Sequence, residues 1–429
     1  MDSNLKLTIN DSVLLNEVNL DIGKINVVGG VNGSGKTTVA KVLYCFLKVL
    51  SDKKGQYLHK EFVKEVNYFN KIMNYERKIY FNQDFKNDDS YDNVLKEFKR
   101  AKKFFFDNNL DKDYFDPNKS YQKGYDSVFG KIESLIDMIE GKSEDFNFRI
   151  LDYLMKDEDI LVFKESGCIL KNNSFNFISN DLEESYFDRN VLVSDVFYMD
   201  TLSILDLKGN HILFKEHIRH LKDSLNEESE WWDEESLKNF DILEVLDDAS
   251  IVLPDKNKEI YLKIENIIKG QYKDFDVDFG FKKQNSENIS FTNTTPSGIK
   301  QIGVIQILLS KGKLKEGSFL IIDEPEVNLH PEWQFKFAEI LVLLAKELSI
   351  SLYLNSHSPM FIEAIEVLTE YYDLEDETNF YLTEKQDNDK YGFVKISYDN
   401  LFELYDNLAN PYDAIEVYRL KAEYKKGNL

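Results

Sequence analysis

No run of eighteen or more apolar residues occurs in this chain of 429 residues, so no segment of it reads as a bilayer-spanning helix. The opening segment MDSNLKLTIND lacks a basic stretch followed by an apolar one, so no secretory signal is expected. Cysteine is scarce. Cys45 and Cys168 stand far apart, match no metal-ligand spacing and read as reduced thiols, which goes with a cytoplasmic location. Cations are in deficit: 53 Lys and Arg against 77 Asp and Glu leave a net charge of −24, the opposite of a surface that tracks a nucleic-acid backbone. Heptads are not sustained, which excludes a long coiled coil, and no internal repeat or low-complexity linker is visible.

What is present is enough chain for two domains, or for one domain with a large insertion. LKLTI, VNLDI and INVV read as strands, and TTVAKVLYCFLKVL has helical periodicity. From residue 51 to about 155 the chain is rich in Lys, Asp and Asn, with apolar residues at helical spacing. One predicted helix there, KEFKRAKKFFF, gathers Lys96, Lys99, Arg100, Lys102 and Lys103. It is either a solvated face or a local nucleic-acid contact. Short β-like runs return at 159–201, followed by helical patterns and the acidic NEESEWWDEES, whose tryptophans suit a core or a partner anchor. FDVDFGFKK and NISFTN read as strands, and NFYLTEK and YGFVKISY as a closing hairpin.

Three segments carry chemistry. Gly30-Val31-Asn32-Gly33-Ser34-Gly35-Lys36-Thr37-Thr38 follows a strand and opens a helix. Its glycines let backbone N–H groups face phosphates, helped by the helix dipole. Lys36 supplies a point charge, and the Thr37 hydroxyl suits Mg²⁺. FLIIDEP is a buried strand that delivers Asp323 and Glu324 at its C-terminal end, where ligands of α/β sheets bind. Asp323 is placed to hold Mg²⁺, and Glu324 to act as general base on an attacking water. His357 follows the next strand, ISLYLN, within reach of a γ-phosphate. Ser297 and Gly298 precede a helix and form a candidate phosphate cap. Gln83, after KIYFN, is a further candidate for Mg²⁺ or water contact, or an ordinary polar loop residue.

The order of these segments resembles ABC-type ATPase heads. More narrowly, SGIKQIGVIQILL, DEPEVNLHPEWQ and SHSPMFIEAIE resemble the OLD-like and RecF-like "AAA family ATPase" proteins, many of them in anti-phage systems. The resemblance covers about 1–50 and 245–410. It implies an α/β ABC-type P-loop ATPase head formed by residues 1–50 and 245–429. The stretch 51–244 lies outside the resemblance; it is too long for a connecting loop and carries no catalytic constellation, so an inserted helical and β lobe for partner or dimer contacts is expected there. The resemblance also implies ATP with Mg²⁺, a homodimer in which Ser297 caps ATP held by the other subunit, His357 as switch histidine, and EVNLHP as a loop communicating across the dimer. Two features depart from the pattern. The signature reads Ser-Gly-Ile-Lys, and no aromatic precedes the phosphate loop, the first being Tyr44. ATP over GTP therefore rests on the resemblance. About 70 residues follow SHSPMF, too few for the nuclease domain of OLD proteins. The expected role is a nucleotide-gated ATPase subunit serving a separately encoded effector, a nuclease or toxin. The alternatives are a RecF-like DNA-repair clamp, which would bind DNA, and a non-hydrolysing scaffold. No membrane partner is expected.

Overall fold

The computed structural model describes residues 5–10, 15–51, 91–107, 166–171, 174–179, 193–200, 253–275, 278–286, 289–291, 297–386 and 389–425, with single positions within 62–67, 132–136 and 218–225. Gln83 and the NEESEWWDEES segment lie outside the described residues. The chain divides into two compact units, 1–51 with 154–429, and 52–153.

The larger unit is built on strands β1 (Leu5–Asn10), β2 (Leu15–Ile22), β3 (Ile25–Gly29), then β4 (Ser166–Lys171), β5 (Ser174–Ser179) and β6 (Asp195–Met199). β3 leads into α1 (Lys36–Ser51). In the smaller unit α2 (Tyr91–Asp107) buries Val94, Leu95 and Phe98 and exposes Lys96, Lys99, Arg100 and Lys103.

In the larger unit the chain resumes with α3 (Asp255–Ile268) and a three-stranded antiparallel sheet of β7 (Gly270–Phe275), β8 (Asp278–Lys283) and β9 (Ile289–Phe291). There follow α4 (Ser297–Ser310), β10 (Ser318–Asp323), α5 (Pro331–Leu348), β11 (Ser351–Ser356) and α6 (Pro359–Tyr371). The chain closes with β12 (Thr378–Lys385), β13 (Tyr391–Ile396) and α7 (Leu401–Lys425).

Ten strands form one mixed sheet in the order β4-β5-β1-β2-β13-β12-β3-β11-β10-β6. From β12 to β6 all pairs are parallel. A parallel sheet is covered on both faces, which is why INVVG and SFLIID are continuous buried runs. One face, with Val27, Leu320, Ile322, Leu352 and Leu354, packs against Ile305 of α4, Leu341 of α5 and Ile365 of α6 in one core. The other face mixes buried apolar residues, Val28, Val196 and Ile321, with the buried polar ones Asn26, Tyr198, Tyr353, Asn355 and Tyr381.

Helix ends are marked as their sequences demand. Ser358 caps α6 by accepting from the Phe361 N–H, with Pro359 at the first helical position. His330 and Pro331 open α5 in the same way. The predicted closing hairpin is the antiparallel pair β12–β13, but it lies inside the sheet, with β12 on β3 and β13 on β2. FDVDFGFKK is divided: Phe275 ends β7, and β8 starts at Asp278.

The assignment of 51–244 to an inserted lobe differs from the observed division. β4, β5 and β6 fall within that stretch, yet they complete both ends of the large sheet. Short β-like runs show strand character without showing which sheet edge they join. The compact unit separate from the sheet is 52–153. Among the described residues no helix is long and apolar enough to cross a membrane.

Candidate functional site

β3 ends at Gly29 and the chain turns through Gly30, Gly33 and Gly35 before α1 begins at Lys36. Gly30 has φ +153°, and a Cβ there would lie 1.7 Å from Thr383 Oγ1. Gly35 has φ +87° and packs on Leu15, whose Cδ2 would be 2.5 Å from a Cβ. Both positions require glycine. The Thr383 hydroxyl also donates to Ser34 Oγ at 2.9 Å, so β12 supports the loop from below. Asn32, Gly33 and Thr37 are exposed, and Thr38 is half-buried. α1 has no acidic residue of its own in its first turn.

Lys36 folds back into this loop. Its ammonium donates to Gly30 O and Val31 O, each at 2.9 Å, and lies 3.4 Å from Ser34 Oγ. Burial lowers its pKa to about 8, against the opposing pull of Asp323, Glu324 and Glu326. Thr37 Oγ1 donates to Asp323 Oδ2 at 2.7 Å. Asp323 is held further by Asn355, whose Nδ2 donates to Oδ1 at 2.9 Å, and by the Tyr198 hydroxyl at 3.4 Å from Oδ2. These contacts follow from register: Asp323 pairs with Asn355, and β6 lies on the other side of β10.

Glu324 has φ +54°, a left-handed conformation that costs a non-glycine residue roughly 1–2 kcal/mol. Its N–H donates to Asn355 O at 2.9 Å, which holds the turn. His357 Nε2 is 3.4 Å from Glu324 Oε1, and His357 Nδ1 is 3.5 Å from Lys36 Nζ. Burial, then the neighbouring Lys36 charge, lowers the His357 pKa, so the imidazole is neutral at pH 7. A neutral ring can donate from one nitrogen and accept at the other.

The structure thus brings Ser34, Lys36, Thr37, Asp323, Glu324 and His357 to one sheet edge. Ser297 and Gly298 open α4, and their side chains lie outside the described residues. Asn355, Glu326, Tyr198 and Thr383 also belong to the site and were not singled out in the sequence. The signal for Asn355 was its place at the end of the strand before His357. For Glu326 it was a third acid directly after Asp323-Glu324-Pro325.

Two hard oxygens, on Thr37 and Asp323, stand together, while among the described residues no group of three or more His, Cys, Asp or Glu could hold a metal. That donor set fits Mg²⁺, which keeps several waters and takes its remaining ligands from phosphates. It does not fit a structural zinc.

A sequence profile described as AAA ATPase domain (AAA_15) matches residues 6–362. No curated protein matches the chain. Among solved structures, the chain is similar to the SMC head domain from Thermotoga maritima, with 14% identity and a TM-score of 0.25, over 35% of this chain and 51% of that one. It is also similar to an SmcHead bound to the C-winged helix domain of ScpA, with 12% identity and a TM-score of 0.37, over 89% and 93%. A third is the Smc head domain with an extended coiled coil bound to the C-terminal domain of ScpA, from Pyrococcus furiosus, with 10% identity and a TM-score of 0.31, over 94% and 95%. Scores and identities this low carry no statement about activity.

Proposed function

We propose that this chain, which belongs to the AAA ATPase domain family, binds ATP with Mg²⁺ and hydrolyses it at the edge formed by β3, β10 and β11. The observation that carries this reading is the direct bond between Thr37 and Asp323, with Lys36 and Glu324 joined through His357. Loop N–H groups and Lys36 bind the β- and γ-phosphates. Thr37 and Asp323 would hold Mg²⁺, which would neutralise phosphate charge. Glu324 accepts a proton from a water as its oxygen bonds to the γ-phosphorus; the bond to the β-γ bridging oxygen breaks, and ADP leaves with that electron pair. His357, neutral and beside Glu324, would turn its one N–H from Glu324 to a γ-phosphate oxygen when nucleotide is bound.

The finer reading is a homodimer whose closure is gated by ATP, Ser297 of one subunit capping nucleotide held by the other. Glu324 and the loop of Asn32 and Gly33 are open enough to meet a second subunit. We further propose a separately encoded effector as partner, a nuclease or toxin of an anti-phage or toxin–antitoxin-like complex. The motif resemblance supports this, and the net charge of −24 suits a basic protein partner better than DNA. The test is ATP turnover with purified protein: Lys36→Ala should abolish nucleotide binding and turnover together. Turnover unchanged by that substitution would refute the reading.

A further inference from the structure

We infer that Glu326 is a positioning residue that fixes His357 for the reaction, by holding the backbone between β11 and α6; this rests on the hydrolytic reading above. Glu326 Oε1 accepts from two consecutive amides, His357 N–H at 2.5 Å and Ser358 N–H at 3.0 Å.

His357 occupies an unsupported place in the chain. β11 ends at Ser356 and α6 begins at Pro359, with Ser358 as its cap. His357 belongs to neither the sheet ladder nor the helix, so neither supplies an acceptor for its N–H. Glu326 supplies it. Beside its hydrogen bond to the Gly30 backbone, the imidazole's contacts at 3.4 Å to Glu324 and 3.5 Å to Lys36 are long and would be lost on a small displacement of the backbone.

The same carboxylate belongs to the loop after Glu324. That loop is folded on itself by Val327 N–H to Glu324 O at 3.1 Å and Leu329 N–H to Glu326 O at 3.0 Å. A second tie runs in parallel. Ser358 Oγ donates to Gln334 Oε1 at 2.8 Å, and Gln334 Nε2 donates to Leu329 O at 3.1 Å. Loop 324–330 is therefore tied to the backbone at 357–358 by Glu326 and, through Gln334, by Ser358.

A carboxylate at a helix start also stabilises the helix, and a purely structural cap would act on stability alone. The experiment separates the two. Glu326→Ala should lower kcat on the order of 10- to 100-fold, with KM for ATP and nucleotide affinity within about twofold. Glu326→Gln keeps an acceptor oxygen in place and should restore most of kcat; Glu326→Asp, one methylene short, should not. In a His357→Ala background Glu326→Ala should cost nothing more. Amide exchange across 355–361 should quicken in Glu326→Ala, a readout independent of turnover. Full kcat in Glu326→Ala, losses that add to those of His357→Ala, or unchanged exchange would overturn the assignment. Absence of any Lys36-dependent turnover in the wild type would instead sink the hydrolytic reading.

Discussion

Thr37 on α1 and Asp323 at the end of β10 are joined by a hydrogen bond of 2.7 Å across 286 positions of sequence. Asn355, on the neighbouring strand, holds the other oxygen of Asp323. The hydroxyl, the carboxylate and the amide that orients it form a small, hard-oxygen site beside the phosphate loop.

If that pair holds Mg²⁺, chelation should abolish turnover, and Thr37→Ala should weaken the Mg²⁺ dependence of ATP binding. Asn355→Ala leaves both oxygens in place but frees Asp323 to rotate. It should raise the Mg²⁺ concentration for half-maximal ATP binding by roughly tenfold. A titration curve identical to that of the wild type would remove Asn355 from the site.

Lys36 gives opposite pH signatures to stability and to binding. Its folded pKa lies near 8, below its ordinary value of 10.5. Between these values the unfolded chain binds more protons, so the Lys36 contribution to folding stability rises with pH from about 8 to 10.5 and is constant below. Phosphate binding needs the charged form, so ATP affinity should fall above about pH 8, by at most about tenfold per pH unit. Denaturant titrations and fluorescent-nucleotide binding across pH 7 to 10, each compared with Lys36→Met, read the two arms. A stability curve that keeps the same slope in Lys36→Met would contradict the first.

The ATP-gated dimer is tested by mixing two inactive proteins. Ser297→Arg adds bulk at the start of α4 and should block closure, while Lys36→Ala removes a phosphate contact. A heterodimer has one site built from two wild-type halves. Turnover should return to about half the wild-type value per dimer if the sites act independently. Heterodimers that form and stay inactive would deny Ser297 a role in the partner's site or require the two sites to fire together.

The parts of the site that lie in contiguous stretches were legible in the sequence. The phosphate loop announces itself by glycine spacing between a strand and a helix. β10 does so because a strand covered on both faces must be an unbroken apolar run ending at Asp323. What was not legible depends on register. Thr383 reaches the loop because Leu382 pairs with Gly29, and Asn355 reaches Asp323 because β11 pairs with β10 without offset. Neither pairing leaves a local mark. β6 was hidden for the same reason. DVFYM reads as a strand anywhere, and only the fold shows that Tyr198 stands beside Asp323.

The most direct test of the account is a paired measurement on Glu324→Gln: nucleotide affinity and single-turnover hydrolysis with Mg²⁺, beside the wild type. The substitution keeps shape but removes the base, so ATP should bind within about twofold while hydrolysis falls by on the order of 10² or more. Equal hydrolysis by the two proteins would contradict the assignment of Glu324 as the residue that takes the proton from water.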